Sequence, residues 1–323
     1  MPKVYLLLVL ACQIAGTSPK AAAQPLPRHY SMPELRQLVR RGNADTTRVK
    51  WLLQLSAFYL NKAEQSQQSV DSALVFAAQA GELGRQLHFE PGVDEARFQT
   101  GQVYAKRGGT RQAQALMRSL SDTSRIKLAL ELGKNQLLPG KAQPAGRDSA
   151  LYFFRQAKRL SDAAGLRHWQ DESVFQQGIL YIQGQQVPRG EALFRQVIKA
   201  AQIANDKAAE SRAWFRLADS FTPLGRDKYT AQRLEYFSQS RVLARQINDR
   251  TQEAASLLNI GFIHIYQGKR AEAEQDLLAV VAIKKAAGQK DAYFALEALH
   301  EIEYNKGNNA KSLAYLLQTL RSV

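Results

Sequence analysis

The chain has 323 residues, of which 45% are hydrophobic and 23% charged, so it has enough apolar side chains to bury a core. Its formal net charge of +15 attracts acidic partners, although lysine and arginine also solvate the outer faces of long helices. The single cysteine, Cys12, excludes a disulfide framework and a zinc site built from several thiolates.

The first 23 residues have the pattern of a secretory signal peptide. Lys3 provides a short positive region, residues 4–15 are almost all apolar, and the alanine triplet at 21–23 offers a cleavage site. The apolar run is too short to span a membrane. We therefore expect cleavage after Ala23 and export to the periplasm or the cell envelope.

Two other interpretations of this segment remain open. Val9-Leu10-Ala11-Cys12 resembles a bacterial lipobox, in which Cys12 would carry a lipid. The apolar run could instead stay in place as an uncleaved anchor. No later stretch reaches spanning length, so we expect a mature chain that is soluble or lipid-tethered.

The next part of the chain shows a weak helical rhythm. Residues 24–43 are predicted to be an N-terminal segment with one short helix near 32–41. Residues 44–165 are predicted to form three degenerate helix pairs, marked by small residues next to apolar ones. Their predicted limits are 44–88, 92–120 and 123–165. The stretch 139–146, rich in proline and glycine, is predicted to be a long loop.

The rhythm is strong over residues 166–323. Four similar segments are centred on Gly178, Ala218, Gly261 and His300, at intervals of about forty residues. Glycines in 268–270 and 306–308 indicate where first helices end. No run of alternating apolar residues predicts a strand. The predicted helix pairs are 168–204, 206–247, 250–287 and 290–322.

This pattern resembles the tetratricopeptide repeat (TPR), in which position 4 is bulky, 7 is leucine, 8 is small and 11 is aromatic. Trp214, Leu217, Ala218 and Phe221 match these four positions. His300 at a position 8 and Val280 at a position 27 depart from the pattern. The resemblance covers nearly the whole mature chain and implies an all-α fold, a right-handed α-solenoid of about seven TPR-like helix pairs.

Known catalytic and metal-binding motifs are absent from the sequence. None of the five histidines lies in H-E-x-x-H, and Gly108-Gly109 is not followed by a P-loop lysine. There is no nucleophile elbow and no kinase signature. We therefore predict that the chain is not an enzyme and uses neither a metal nor a cofactor.

The TPR resemblance also implies a binding surface. In that family, positions 2, 5, 9, 12 and 13 of the first helices face a concave groove. This surface would be mixed apolar and aromatic, which suits a protein or peptide partner. Lysine and asparagine of the chaperone-type carboxylate clamp are not present at positions 5 and 9. The candidate groove residues are Phe175, Ile179, Ile182, Arg212, Phe215, Asp219, Leu258, Phe262, Tyr266, Glu297, Glu301 and Tyr304.

The last predicted helix carries an apolar stripe where a polar capping face is usual. A partner could cover it, the chain could self-associate through it, or the sequence could be the front part of a longer protein. The residues of this stripe are Leu313, Leu316, Leu317 and Leu320.

A narrower resemblance involves Asp45-Thr46-Thr47-Arg48-Val49, Tyr59-Leu60 and Asp71-Ser72-Ala73-Leu74. These segments look like the extracytoplasmic TPR region of sensor histidine kinases common in Bacteroidetes-type bacteria. The resemblance implies a sensory input region of a two-component system, although the membrane helix and kinase are not in this sequence.

Three functions follow from these observations. The first is a periplasmic sensory or scaffold module that binds a protein or peptide. The second is an envelope assembly or scaffold lipoprotein anchored through Cys12. The third, nucleic-acid binding, is motivated by the net positive charge of the mature chain and is disfavoured by export and by the long, uneven repeat period.

Overall fold

The computed structural model describes residues 30–62, 66–138, 144–224, 228–289 and 292–321. The predicted signal peptide, Cys12 and residues 139–143 of the predicted loop lie outside these ranges. Residues 144–146, also predicted to be loop, instead form the first turn of a helix.

The described residues form fifteen α-helices and no β-strand, which confirms the all-α fold and the seven helix pairs. A short helix, α1 (Met32–Arg41), precedes the pairs. Two 3-10 turns, Met117–Ser119 and Thr222–Leu224, follow α5 and α10. The pairs are α2 (Thr46–Asn61) with α3 (Gln67–Gln86), α4 (Glu90–Lys106) with α5 (Thr110–Leu116), α6 (Asp122–Asn135) with α7 (Pro144–Ala163), α8 (Arg167–Gln183) with α9 (Val187–Ile203), α10 (Lys207–Ser220) with α11 (Thr230–Gln246), α12 (Arg250–Tyr266) with α13 (Arg270–Ala286), and α14 (Tyr293–Asn305) with α15 (Asn309–Arg321).

The chain divides into two compact units, and the division falls inside α11, between Tyr236 and Phe237. We call residues 30–236 the first unit and the described residues from 237 to 321 the second unit. The boundary predicted at 165/166, between degenerate and regular repeats, stays a prediction.

Helix starts follow ordinary capping chemistry. The Asp45 carboxylate accepts hydrogen bonds from the backbone N–H groups of Thr47 and Arg48, at 2.9 and 3.0 Å. Asp206 and Asp249 cap α10 and α12 in the same way. These side chains satisfy N–H groups that the first helical turn leaves without a partner.

Many of the helices end in the same way, with a residue of positive φ in the following turn. Gly268 and Gly307 have φ of 75° and 79°, which confirms the predicted glycine stops. Four turns place another residue in this left-handed conformation, where a Cβ atom is unfavourable. These residues are His88, Gln185, Asn205 and Asn248.

Small residues at position 8 allow close approach between helices. A Cβ atom added at Gly133 would lie 2.4 Å from a ring carbon of Phe154, which is fully buried on α7. One added at Gly178 would lie 2.6 Å from a ring carbon of Phe194 on α9. The packing therefore explains the recurring small side chain that defines the repeat.

The two departures from the TPR pattern both lie in the second unit. His300 occupies position 8 because α15 presents Ser312 to it, with its Nδ1 2.8 Å from the Ser312 hydroxyl. Val280 is fully buried in a cluster with Leu277 and Leu299. The Ser312 hydroxyl is therefore the polar partner of the histidine, and the apolar cluster surrounds the valine side chain.

Candidate partner-binding surface

Helices α8 and α10 are the first helices of consecutive pairs in the first unit, and they contact each other directly. The Arg216 guanidinium of α10 donates to the Glu172 carboxylate of α8 at 3.0 Å, and both side chains are about four-fifths buried. Gln176 donates to the same Glu172 oxygen at 2.7 Å. Arg216 also lies 5.9 Å from the centroid of the Phe175 ring.

The charge pattern continues along α10 to Asp219. Burial raises the pKa of the Asp219 carboxyl, while the nearby Arg216 and Arg233 oppose that rise. Thr222 donates to Asp219 at 3.5 Å, and Arg233 donates to Thr222 at 3.1 Å. Asp219 is thus a half-buried carboxylate with two arginines, Arg216 and Arg233, close to it.

At the other end of α8, Asp171 accepts a hydrogen bond from Arg167 at 3.1 Å. Burial raises the pKa of Asp171, and Arg167 and Arg212 counteract this effect. Acidic and basic side chains therefore alternate across the two helices. We call this set the α8–α10 charged surface; its members are Asp171, Glu172, Gln176, Arg212, Arg216 and Asp219, of which Asp171 and Gln176 are buried.

A similar motif occurs on α4. Gln99 donates to Glu95 at 3.0 Å, four residues earlier, as Gln176 does to Glu172. Gln99 is buried, and its Oε1 has no hydrogen-bond partner among the described residues. The Glu–Gln spacing thus recurs on first helices of the first unit.

The structure separates the predicted groove residues of α8 and α10 into two groups. Phe175, Ile182 and Phe215 are buried, with exposures of 5%, 0% and 9%. Phe175 stacks on Phe194 with ring centroids 5.3 Å apart. In this structure these apolar side chains are packing residues, whereas Ile179, Arg212 and Asp219 are half-buried and reach the surface.

The predicted residues of the second unit also differ in exposure. Leu258 and Phe262 pack against the buried cluster of α12–α14, and Glu297 is half-buried. Tyr266, Glu301 and Tyr304 are exposed on the first helices of this unit.

Sequence reasoning missed Glu172, Gln176, Arg216 and Glu303. Gln176 and Arg216 occupy position 6, which is not one of the groove positions in the family, and Glu172 occupies position 2 but was not among the predicted residues. Their four-residue spacing, Glu172–Gln176 and Arg212–Arg216, is a signal that could have found them.

Glu303 is a buried carboxylate at a position 11, where the repeat pattern expects an aromatic ring. Lys306 Nζ donates to it at 2.7 Å and Asn308 Nδ2 donates to its second oxygen at 2.8 Å. These hydrogen bonds lower its pKa, led by the one from Lys306. A following Lys-x-Asn turn is the sequence signal that accompanies it.

The predicted apolar stripe is exposed on α15. Leu313, Leu316, Leu317 and Leu320 have exposures of 56%, 39%, 46% and 68%. The equivalent of Leu316 in the preceding pair is Leu277, which is fully buried in the cluster formed with α14. The stripe is therefore a surface that earlier pairs cover with a neighbouring helix.

Among the described residues, no three histidine, cysteine, aspartate or glutamate side chains are grouped closely enough to hold a metal ion. None of the described helices combines the length and the apolar character that crossing a membrane requires.

No protein-family model and no curated protein sequence matches the chain. The fold is similar to a solved structure of the apo form of RapI, with a TM-score of 0.52 and 14% identity over 85% of this chain and 76% of that one. At this identity, the likeness shows the TPR-type helical repeat fold alone.

Two further solved structures overlap the chain with lower scores. A Rap protein complexed with competence and sporulation factor gives a TM-score of 0.49 and 14% identity, over 86% of this chain and 77% of that one. A signal-transduction ATPase with a tetratricopeptide repeat sensor from Pyrococcus horikoshii gives 0.47 and 16%, over 89% and 42%.

Proposed function

We propose that this chain is an exported, non-catalytic scaffold that binds a protein or peptide on the α8–α10 charged surface. The observation that carries the proposal is the Glu172–Arg216 pair, which places opposite charges on adjacent first helices at a partly exposed surface. A partner with its own acidic and basic side chains would exchange ion pairs with this surface.

The type of partner follows from what the surface exposes. Phe175 and Phe215, the aromatic side chains predicted to line the groove on α8 and α10, are buried, so polar side chains make up most of what a partner meets on these two helices. Arg212 and Asp219 are half-buried and reach the surface, so charged or amide groups of such a partner can contact them.

The biological setting is a second part of the proposal. The secretory pattern of residues 1–23 supports a location in the periplasm or cell envelope. The resemblance to sensor-kinase input regions supports a role in two-component signalling. The alternative is an envelope assembly lipoprotein anchored through Cys12, and nucleic acid is not an expected partner.

Site-specific photo-crosslinking in the native envelope tests the binding surface. A photoreactive amino acid replaces Ile179, which borders the charged surface, and in a matched variant it replaces Arg159, which is exposed on α7. We expect a discrete crosslinked protein or peptide from position 179 only. Equal products from both positions, or none from position 179, would contradict the proposal.

Mass spectrometry of the mature N-terminus tests export and anchoring. A chain that begins at Gln24 supports a cleaved signal peptide and a periplasmic protein. A lipid on Cys12 supports the lipoprotein alternative. An unprocessed Met1 terminus on protein from the cytoplasmic fraction would contradict both.

A further inference from the structure

A second cluster of polar side chains surrounds Tyr181, near the end of α8. Arg155 of α7 donates from Nη2 to the Tyr181 hydroxyl at 3.3 Å. The guanidinium of Arg189, from α9, lies 4.2 Å from the centroid of the same ring. Two guanidinium groups from different helices therefore meet at one phenol.

A third guanidinium lies beside the turn that follows. Arg147 Nη1 is 3.4 Å from the place where a Cβ atom of Gly184 would lie, three residues after Tyr181. Arg147, Arg155 and Arg189 are all exposed. Arg147 thus lies beside the carboxyl-terminal turn of α8, and Arg155 and Arg189 lie at the side chain of Tyr181.

No carboxylate neutralises this cluster within the described parts of the chain. Arg155 and Arg189 instead contact neutral groups, the Tyr181 hydroxyl at 3.3 Å and the Gln186 amide oxygen at 3.4 Å. By contrast, Arg167 and Arg216 on the first helices have carboxylate oxygens at 3.1 and 3.0 Å. Guanidinium groups that have no carboxylate partner keep N–H donors for a bound anion.

We propose that Arg147, Arg155, Arg189 and Tyr181 form a binding site for a phosphoryl group. A phosphate monoester carries close to two negative charges and three terminal oxygens, so it can accept hydrogen bonds from several guanidinium groups at once. Guanidinium groups bind such oxygens through two parallel N–H donors. A carboxylate has only two oxygens and one charge, so it fits the set less well.

This site uses none of the residues of the α8–α10 charged surface. Its test is therefore independent of the proposed partner-binding function, and either proposal can fail while the other stands. The phosphoryl group can come from a soluble phosphate ester or from a phospholipid headgroup, and the experiment separates these two sources.

Isothermal titration calorimetry at low ionic strength measures binding of phenyl phosphate and of a phosphoserine peptide, with the glutamate version of the peptide as a comparison. We expect both phosphoryl ligands to bind and the glutamate peptide to bind about tenfold more weakly. The variant Arg155→Gln/Arg189→Gln should lose binding of the phosphoryl ligands. Arg111→Gln/Arg159→Gln makes the same change in net charge at exposed arginines and should retain it.

Tyr181→Phe removes one hydroxyl and should weaken phosphoryl binding about threefold to tenfold. Thermal melts by circular dichroism verify that every variant is folded before its affinity is interpreted. Flotation with phosphatidylcholine vesicles, with and without phosphatidic acid, then assigns the source. Flotation that requires phosphatidic acid and is lost in the Arg155/Arg189 variant assigns a lipid headgroup, and binding of soluble esters alone assigns a free ester.

Three outcomes would overturn the site. The first is that neither soluble esters nor phosphatidic acid vesicles bind the unaltered chain. The second is an equal loss of binding in the two double variants, which would mean that only net charge matters. The third is equal affinity for the phosphoserine and glutamate peptides, which would assign an acidic protein segment as the ligand.

Discussion

The Arg216 guanidinium and the Glu172 carboxylate form a 3.0 Å ion pair that joins the first helices of two consecutive helix pairs. Their side chains are 20% and 22% exposed, so the pair is less screened by water than a surface pair. Because loss of one partner leaves the other charge partly buried, the pair should contribute to stability as well as to recognition.

A double-mutant cycle measures this contribution. Arg216→Leu alone should lower the free energy of unfolding by about 1–3 kcal/mol, because Glu172 is left without its cation. Combining it with Glu172→Gln should recover part of the loss. Urea denaturation provides the values, and the exposed pair Glu82–Arg85 serves as the control, with an expected coupling below about 0.5 kcal/mol. Equal coupling for the two pairs would contradict this account.

Gly133→Ala should destabilise the chain more than Gly261→Ala, although both residues occupy position 8. The added methyl would lie 2.4 Å from the buried Phe154 ring in the first case and 3.2 Å from Leu277 in the second. We expect a loss of about 1–3 kcal/mol at Gly133 from overpacking, and near neutrality at Gly261 because alanine favours the helix. Thermal melts monitored by circular dichroism compare the two variants, and similar melting temperatures would refute the packing argument.

Acid should weaken the second unit through Glu303. Hydrogen bonds from Lys306 and Asn308 hold its folded pKa below the usual 4.5, so the unfolded state binds the proton more tightly. The stabilisation is therefore present above the unfolded pKa and is lost as pH falls below 4.5 through the folded pKa. Glu303→Gln should flatten the dependence of urea stability on pH in this range. Glu272→Gln, at an exposed site, should leave it unchanged; identical profiles for the two variants would rule out this role of Glu303.

Self-association through α15 remains a proposal, supported by the exposure of its four leucines. Leu316→Glu/Leu317→Glu should shift the sedimentation equilibrium towards monomer, since charge on an apolar interface is costly. Val75 is 52% exposed on α3, and Val75→Glu provides a control in the first unit. If the unaltered chain sediments as a monomer at all concentrations, self-association through α15 is contradicted.

Much of the fold could be predicted because close helix packing requires a small residue at position 8 of each repeat, and such residues are visible in the sequence. Gly133, Gly178 and Gly261 each lie where a side chain of the second helix approaches closely, so their spacing predicts the pairs. The limits of α7 were harder to predict, because proline at 144 suggests a loop and is equally compatible with a first helical turn.

The candidate site was only partly predictable. The family pattern predicts which way each side chain points, but it does not predict how much of a large side chain is buried between neighbouring helices. Phe175 and Phe215 were expected in the groove and are buried, because the ring of Phe175 stacks on Phe194 and Phe215 is 9% exposed. The Glu172–Arg216 pair joins residues far apart in sequence, so only the structure could show that they meet.

The left-handed turns offer a route to a more stable protein. His88 and Gln185 have φ of 52° and 64°, a conformation that costs a residue with a Cβ atom about 1–2 kcal/mol and glycine almost nothing. His88 lies in a turn outside both candidate sites, whereas Gln185 lies in the turn beside Arg147 of the proposed phosphoryl site. Glycine at position 88 would give a more stable starting protein, in which destabilising substitutions at either binding site could be studied without loss of the fold.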